Sequence, residues 1–204
     1  VLLVIDGHVD KSIWMYKKLG VEYVTILEQS KCITEVIRRK IEVNPEKYQD
    51  MNIDIVATQL ENHKNTRKYD TVIIRNVLDI DLEKIKMRID AIKHMTSDGA
   101  KIIVYVMDGD KMDKRMKKKK TIITVSKYKQ FGLFRFNQRV HKKTKKKILV
   151  YIKDIYNYNN GYLQDSVSPF YIIDLFEKKG FKMIKKKSIT DIVPHRTNGI
   201  DEDG

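Results

Sequence analysis

The sequence predicts an α/β fold in which a mainly parallel sheet carries helices on both faces and an antiparallel portion follows. Three observations carry this. Residues 1–5, VLLVI, are an unbroken apolar run that ends at Gly7, the pattern of a strand buried on both sides. Further apolar segments at 21–27, 53–57, 70–74 and 101–107 alternate with stretches of helical spacing, the order of a doubly wound sheet. After Met107 the pattern changes to short strands set among basic runs.

Each element has a local reason. Residues 10–18 suit a helix in which Ile13, Trp14 and the pair Lys17 and Lys18 fall on different faces, with Trp14 expected as a core or interface aromatic. The strand 21–27, VEYVTIL, is closed by Glu28. Ser30 then caps a helix, SKCITEVIRRKIE, whose apolar stripe is Ile33, Val36, Ile37 and Ile41, with Cys32 on the polar side of its start. Residues 44–52 read as a linker before the third strand at 53–57 and the fourth at 70–74. Leu82, Ile85, Ile89, Ile92 and Met95 recur at helical spacing over 81–95, and Asp98-Gly99 supplies a tight turn before the fifth strand at 101–107. In the last third, 121–125, 131–136 and 148–152 read as antiparallel strands, and NYNNG at 157–161 is turn chemistry. An amphipathic helix over 169–179 ends at Gly180, FKMIKKKSI reads as a last strand, and HRTNGIDEDG is a polar tail.

Composition narrows the function classes. A chain of 204 residues that is 42% hydrophobic, with only 3 prolines and 9 glycines, suits one folded domain. A single cysteine excludes an internal disulfide and a cysteine-built metal site, and it fits a reducing compartment. No apolar run reaches the roughly 18 residues that a membrane-spanning helix needs. The 5 histidines show no metal-ligand spacing, and no Ser-His-Asp arrangement stands out. The chain opens inside a strand without an initiator Met, so it reads as a piece of a longer protein. A net charge of +14 points to a polyanionic partner, and the alternative is a generally Lys-rich composition. Clustering of the charge in KRMKKKK and KKTKKK favours the partner: Lys117, Lys118, Lys119, Lys120, Lys142, Lys143, Lys145, Lys146 and Lys147 are the residues expected to track RNA phosphates. Phe131, Phe134 and Phe136 alternate in strand fashion among them and read as core.

SDGAKIIVYVMDGDKM at 97–112 resembles the fifth-strand region of poxvirus mRNA cap guanine-N7 methyltransferase domains, with MDGDK as the most specific element. KKKKTIITV, ILVYIKDIYNYNNGYLQDSV and FYIIDLFEKKGFKMI are similar to the segments that follow in that family, and VLLVIDGHVDK and VTILEQS stand at the first two S-adenosylmethionine (SAM) motifs. The resemblance runs in order through the whole chain. It implies a Rossmann-like class I SAM-dependent methyltransferase fold over 1–204, with a SAM-binding half at 1–110 and a cap- and RNA-binding half at 111–204. It also implies an origin in a large cytoplasmic DNA virus or a yeast linear plasmid, and a place in the host cytoplasm or the virion. The implied partners are a capped mRNA 5′ end, upstream triphosphatase and guanylyltransferase domains of the same chain, and a small activating subunit. The Lys-x-Asp-Gly motif of nucleotidyl transfer is absent, so this is the methyltransferase portion alone.

The resemblance assigns roles residue by residue. Asp6, Gly7 and His8 form the loop expected against the methionine part of SAM, with Ile5 and Val9 standing where the family has further glycines, and their β-branched side chains are expected to crowd the ligand or to force an altered backbone. Glu28, followed by Gln29, is placed to accept the ribose hydroxyls. No Asp follows the third strand, so Thr58 or Gln59 is the expected adenine contact. Arg75 and Asn76 take the first places after the fourth strand, and Asp79 and Ile80 replace the His-Tyr pair that helps hold the cap. In YLQDSV, Gln164 or Asp165 is the candidate acceptor for the guanine edge, with Tyr162 and Tyr158 as ring faces for the cationic base. Two functions follow, beside a third reading, a SAM enzyme acting on another substrate, which the resemblance of the C-terminal hairpin and helix to the cap family favours less. One is mRNA (guanine-N7-) methyl transfer from SAM, which needs alignment and electrostatic fit but no catalytic acid or base. The other is a methyltransferase-like module that has lost catalysis and serves as an RNA-binding or scaffolding part of a capping complex.

Overall fold

The computed structural model describes residues 1–5, 13–64, 67–75, 84–106, 108–111, 123–125, 134–139, 147–152, 162–165 and 167–187. Strands β1 (Leu2–Ile5), β2 (Tyr23–Leu27), β3 (Asn52–Val56), β4 (Tyr69–Arg75) and β5 (Thr96–Tyr105) form one sheet in the order β3-β2-β1-β4-β5. Every pairing in it is parallel. The chain steps outward from β1 to β3, then crosses back to lay β4 on the other side of β1. Such a reversal opens a crevice at the carboxyl ends of the strands.

β1 lies at the centre because all four of its residues are apolar and both faces of the sheet are covered. Leu2 and Val4 pack with Val24 and Ile26 of β2, with Ile13 and Tyr16 of α1 (Ile13–Lys18) and with Ile37 of α2 (Lys31–Val43). Leu3 and Ile5, one residue out of phase, pack on the opposite face beneath α4 (Ile85–Met95) and α5 (Pro169–Glu177). There Ile85, Ile89, Ile92 and Met95 form the stripe read from their spacing, and Ile172, Leu175 and Phe176 close the layer.

Ile5 ends the first strand, as its place in VLLVI implies. It is the last paired residue of β1, in register with Leu27 and Ile74, and it is buried in the core. Its side chain packs into the core layer under α4. Trp14, by contrast, is no core residue: it is 43% exposed, with the ammonium of Lys18 4.5 Å from the ring. Ser30 does cap α2, accepting the Ile33 N–H at 3.4 Å, but Val36 lies half exposed. At about 100° per residue, Val36 is turned away from the line through Ile33, Ile37 and Ile41. The linker at 44–52 contains a short helix, α3 (Pro45–Tyr48), started by its proline.

β5 begins at Thr96, before the expected turn. Asp98 and Gly99 sit within it as an irregularity in its pairing with β4, and the φ of +76° at Gly99 is the positive value that glycine adopts readily. On the far edge of the sheet, Nη2 of Arg38 in α2 donates to the Ile55 carbonyl of β3 at 2.9 Å.

A second, antiparallel sheet has the order β6-β7-β8-β9, from β6 (Ile123–Val125), β7 (Phe134–Arg139), β8 (Lys147–Ile152) and β9 (Tyr162–Asp165). The antiparallel strands expected near 121–125, 131–136 and 148–152 are thus present with shifted limits. Helix α5 ends at Glu177, two residues before the expected limit, and the turn after it closes at Gly180, φ +85°, where the Phe181 N–H reaches the Phe176 carbonyl at 3.1 Å and the two rings meet edge to face at 5.6 Å. The last strand expected at FKMIKKKSI is not found in its described part: residues 181–187 carry no secondary structure. Phe181 turns back onto Phe176, so the segment leaves along α5 and pairs with no strand.

Candidate functional site

Glu28 follows the last residue of β2 directly. Its N–H donates to the Val56 carbonyl at 3.1 Å, and the Thr58 N–H reaches the same carbonyl at 3.1 Å. One acceptor therefore gathers the ends of β2 and β3, and it brings together two residues expected to hold a cofactor. The Glu28 side chain folds back to the start of α2, where Oε1 accepts the Ser30 N–H at 2.7 Å. That bond fixes the carboxylate at a helix N-terminus, where negative charge is favoured.

Glu28 is only 5% exposed, yet among the described residues its carboxylate has no cationic partner and no other hydrogen bond. Buried carboxylates are ordinarily paired or well hydrogen-bonded. The acceptor capacity left on Glu28 is a place for hydroxyl donors of a ligand. Gln29, beside it, is exposed.

An open groove of about 430 Å³ lies at the β3 edge, lined by Asp54, Val56, Thr58, Asn62, His63 and Lys64. Thr58 is the expected residue in it. Gln59 is part-buried and leads into the 3₁₀ turn Leu60–Asn62. Asp54, Asn62, His63 and Lys64 are not among the expected residues; the polar run ENHK marks the last three, while Asp54, inside the strand β3, has no such signal. Burial holds the His63 imidazole below its ordinary pKa, and the nearby Asp54 carboxylate works in the opposite direction. Its Nε2 lies 3.5 Å from the hydroxyl of Tyr69.

The turn is anchored from below. Glu61 is buried against Arg88 of α4, with Nε 3.2 Å from Oε2, and Lys84 lies 3.3 Å from Oε1. Burial alone would raise the Glu61 pKa, but its own backbone N–H, Arg88 and Lys84 outweigh that and hold it below the ordinary value.

Arg75, expected beside the cofactor, ends β4 on the α1 side of the sheet. It donates to the Tyr16 hydroxyl at 3.4 Å and stands 5.8 Å from the ring of Tyr105. It thus ties α1 to β4 and β5. The MDGDK run acts as a fastening: the Gly109 N–H reaches the Val167 carbonyl at 3.2 Å, and Ser168 donates to Asp110 at 2.5 Å. It joins the carboxyl end of β5 to the start of α5.

Asp6, Gly7, His8, Val9, Asn76, Asp79, Ile80, Tyr158, Lys117 to Lys120, Lys142, Lys143, Lys145 and Lys146 lie outside the described residues. Tyr162, Gln164 and Asp165 fall in β9, opposite Val150, Ile148 and Lys147 of β8. The backbone register therefore sets an expected cap residue, Asp165, against an expected RNA residue, Lys147. Among the described residues no group of three or more His, Cys, Asp or Glu could hold a metal, and no helix is long and apolar enough to cross a membrane.

The parallel order β3-β2-β1-β4-β5, with an acid at the end of β2, defines the class. This chain has the Rossmann-like fold of class I methyltransferases. No protein-family model and no curated protein matches the sequence. Solved structures do match. A SAM-dependent methyltransferase from Clostridium acetobutylicum aligns with a TM-score of 0.62 and 9% identity, over 90% of this chain and 74% of that one. The CcbJ methyltransferase from Streptomyces caelestis aligns with a TM-score of 0.60 and 12% identity, over 90% and 73%. The glycopeptide N-methyltransferase MtfA, in complex with S-adenosylhomocysteine, aligns with a TM-score of 0.55 and 14% identity, over 90% and 73%.

Proposed function

We propose that this chain is a SAM-dependent methyltransferase domain whose acceptor is N7 of the guanine cap of an RNA. The carboxylate of Glu28 at the end of β2, part of a buried residue and held to the Ser30 N–H through one oxygen, carries the cofactor part of this reading. Two vicinal ribose hydroxyls are the donors such a carboxylate accepts. Thr58, held next to it through the Val56 carbonyl, or Gln59 after it is the residue for the adenine edge. When bound, SAM supplies a methyl group already activated on a sulfonium. The solved methyltransferases of the same fold, one of them crystallised with SAM itself, support the choice of cofactor.

The acceptor part rests on the resemblance of 97–112 and on the net charge of +14. Guanine N7 presents a lone pair and loses no proton, so the chain needs no general base. Its work is to align donor and acceptor and to exclude water. In this reading the upstream capping domains and a small activating subunit are partners. A second reading, an RNA-binding module of a capping complex without methyl transfer, is favoured by exposed lysines after α5 that have no acidic partner among the described residues.

Calorimetry with SAM and S-adenosylhomocysteine, followed by methyl transfer to capped and uncapped RNA, separates these. Binding of both ligands with N7 methylation only of capped RNA is the expected result. Ligand binding without transfer to capped RNA rejects the acceptor. RNA binding without either ligand selects the second reading.

A further inference from the structure

α5 runs from the carboxyl end of the sheet to its amino end. Its start is fastened to Gly109 and Asp110 beyond β5. Its finish lies against the last turn of α4, where Lys179 pairs with Asp90 at 2.5 Å and Lys93 sits 5.1 Å from the Phe181 ring. The chain then returns: Nζ of Lys186 lies 3.7 Å from the centroid of the Phe170 ring, in the first turn of α5. An extended segment at roughly 3.3 Å per residue readily spans a helix that rises 1.5 Å per residue. Residues 182–187 therefore lead from the amino end back to the rim on which Glu28 lies.

This return segment is cationic and unneutralised. Lys178 and Lys179 are paired with Asp174 and Asp90. Lys182, Lys185, Lys186 and Lys187 are exposed and have no acidic partner among the described residues. Phe170, under the Lys186 ammonium, is 65% exposed, and its neighbour in α5, Tyr171, is 38% exposed, so cations and aromatic side chains both stand open to solvent at this end of the segment. Such a combination of cations and aromatic faces suits a single strand, whose phosphates and unpaired bases are both available. A lipid surface is matched less well, because membrane-surface segments of this kind present an amphipathic helix, and 182–187 has no helix.

We propose that Lys182, Lys185, Lys186 and Lys187, with Phe170 and Tyr171, form a track for single-stranded RNA that leads to the carboxyl rim of the sheet. In sequence the track is separate from the basic runs at 114–120 and 142–147. It rests on the reading above only for the polymer being RNA.

The test is fluorescence anisotropy of a labelled single-stranded RNA with the whole chain over a range of salt. SAM binding is measured in parallel, so that failure of the cofactor reading registers separately. The combined change of Lys182, Lys185, Lys186 and Lys187 to Gln is expected to weaken RNA binding and to reduce the log–log salt slope by about 0.7 for each phosphate no longer neutralised. Phe170→Ala is expected to weaken binding by roughly 5- to 150-fold with the slope unchanged. An unchanged slope in the lysine variant overturns the track, as does wild-type affinity in Phe170→Ala. Wild-type binding to phosphatidylserine vesicles that the lysine variant loses, with RNA affinity kept, overturns it in favour of a lipid surface.

Discussion

Arg88 and Glu61 meet through a fork, with Nε of Arg88 3.2 Å from Oε2 and Nη2 3.5 Å from Oε1. Both side chains are nearly closed off from solvent. The pair fastens the turn after β3, which carries the groove residues Asn62 and His63, to α4 on the inner layer.

Removing one partner strands the other. Arg88→Ala is expected to cost about 3–5 kcal/mol, because it leaves a buried carboxylate with only Lys84 nearby. The double change Glu61→Leu with Arg88→Met, which removes both charges, should recover most of that loss. Urea unfolding of the three proteins measures it. A double variant as unstable as Arg88→Ala would locate the cost in packing.

Acid should weaken the fold in two steps. His63 is held below its ordinary value of 6.5, so as pH falls through 6.5 the unfolded chain takes up a proton that the folded chain resists. Glu61 is held below 4.5, so its contribution is present above that value and is lost as pH falls through the folded pKa. Stability is therefore expected to decline modestly below pH 6.5 and more steeply below 4.5. In urea midpoints measured against pH, His63→Gln should remove the first step and Arg88→Ala should shrink the second.

Glu28→Gln keeps the shape of the side chain and removes its charge. Losing a charged hydrogen bond costs about 1.5–3 kcal/mol, so SAM affinity should drop roughly 10- to 150-fold while thermal unfolding changes little. Calorimetry that finds equal affinity in the variant removes Glu28 from the site.

Thr25 is fully buried in β2, and its hydroxyl is the one buried side-chain polar atom among the described residues that lacks a hydrogen bond. Valine has nearly the same shape and no such demand. Thr25→Val should raise unfolding stability by about 1 kcal/mol. A loss of stability would show that the hydroxyl has a partner after all.

Much of this architecture is legible in the sequence because its signals are local. VLLVI can only be a buried strand, and the 85–95 stripe has one period. Glu28 is equally legible, since a strand end is a position in the chain. What is not local escapes such a reading. Asp54 and His63 meet only because β3 is an edge strand and a 3₁₀ turn folds beside it. Ile5 is legible as the end of a strand, but which layer its side chain joins follows only from its register with Leu27 and Ile74 and its packing under α4. FKMI has the composition of a strand, yet a strand also needs an edge to pair with, and Phe181 is drawn instead to Phe176.

The bond from Arg38 to the Ile55 carbonyl has a consequence for how copies of this chain meet in solution. Successive carbonyls of β3 point to opposite sides: that of Val56 turns inward to Glu28, and that of Ile55 turns outward. An outward carbonyl is an invitation to a passing strand, and here a guanidinium has already taken it. A fibril seeded at β3 would have to evict Arg38 before its first cross-chain hydrogen bond there, so this flank resists self-templating by chemistry present in the native fold.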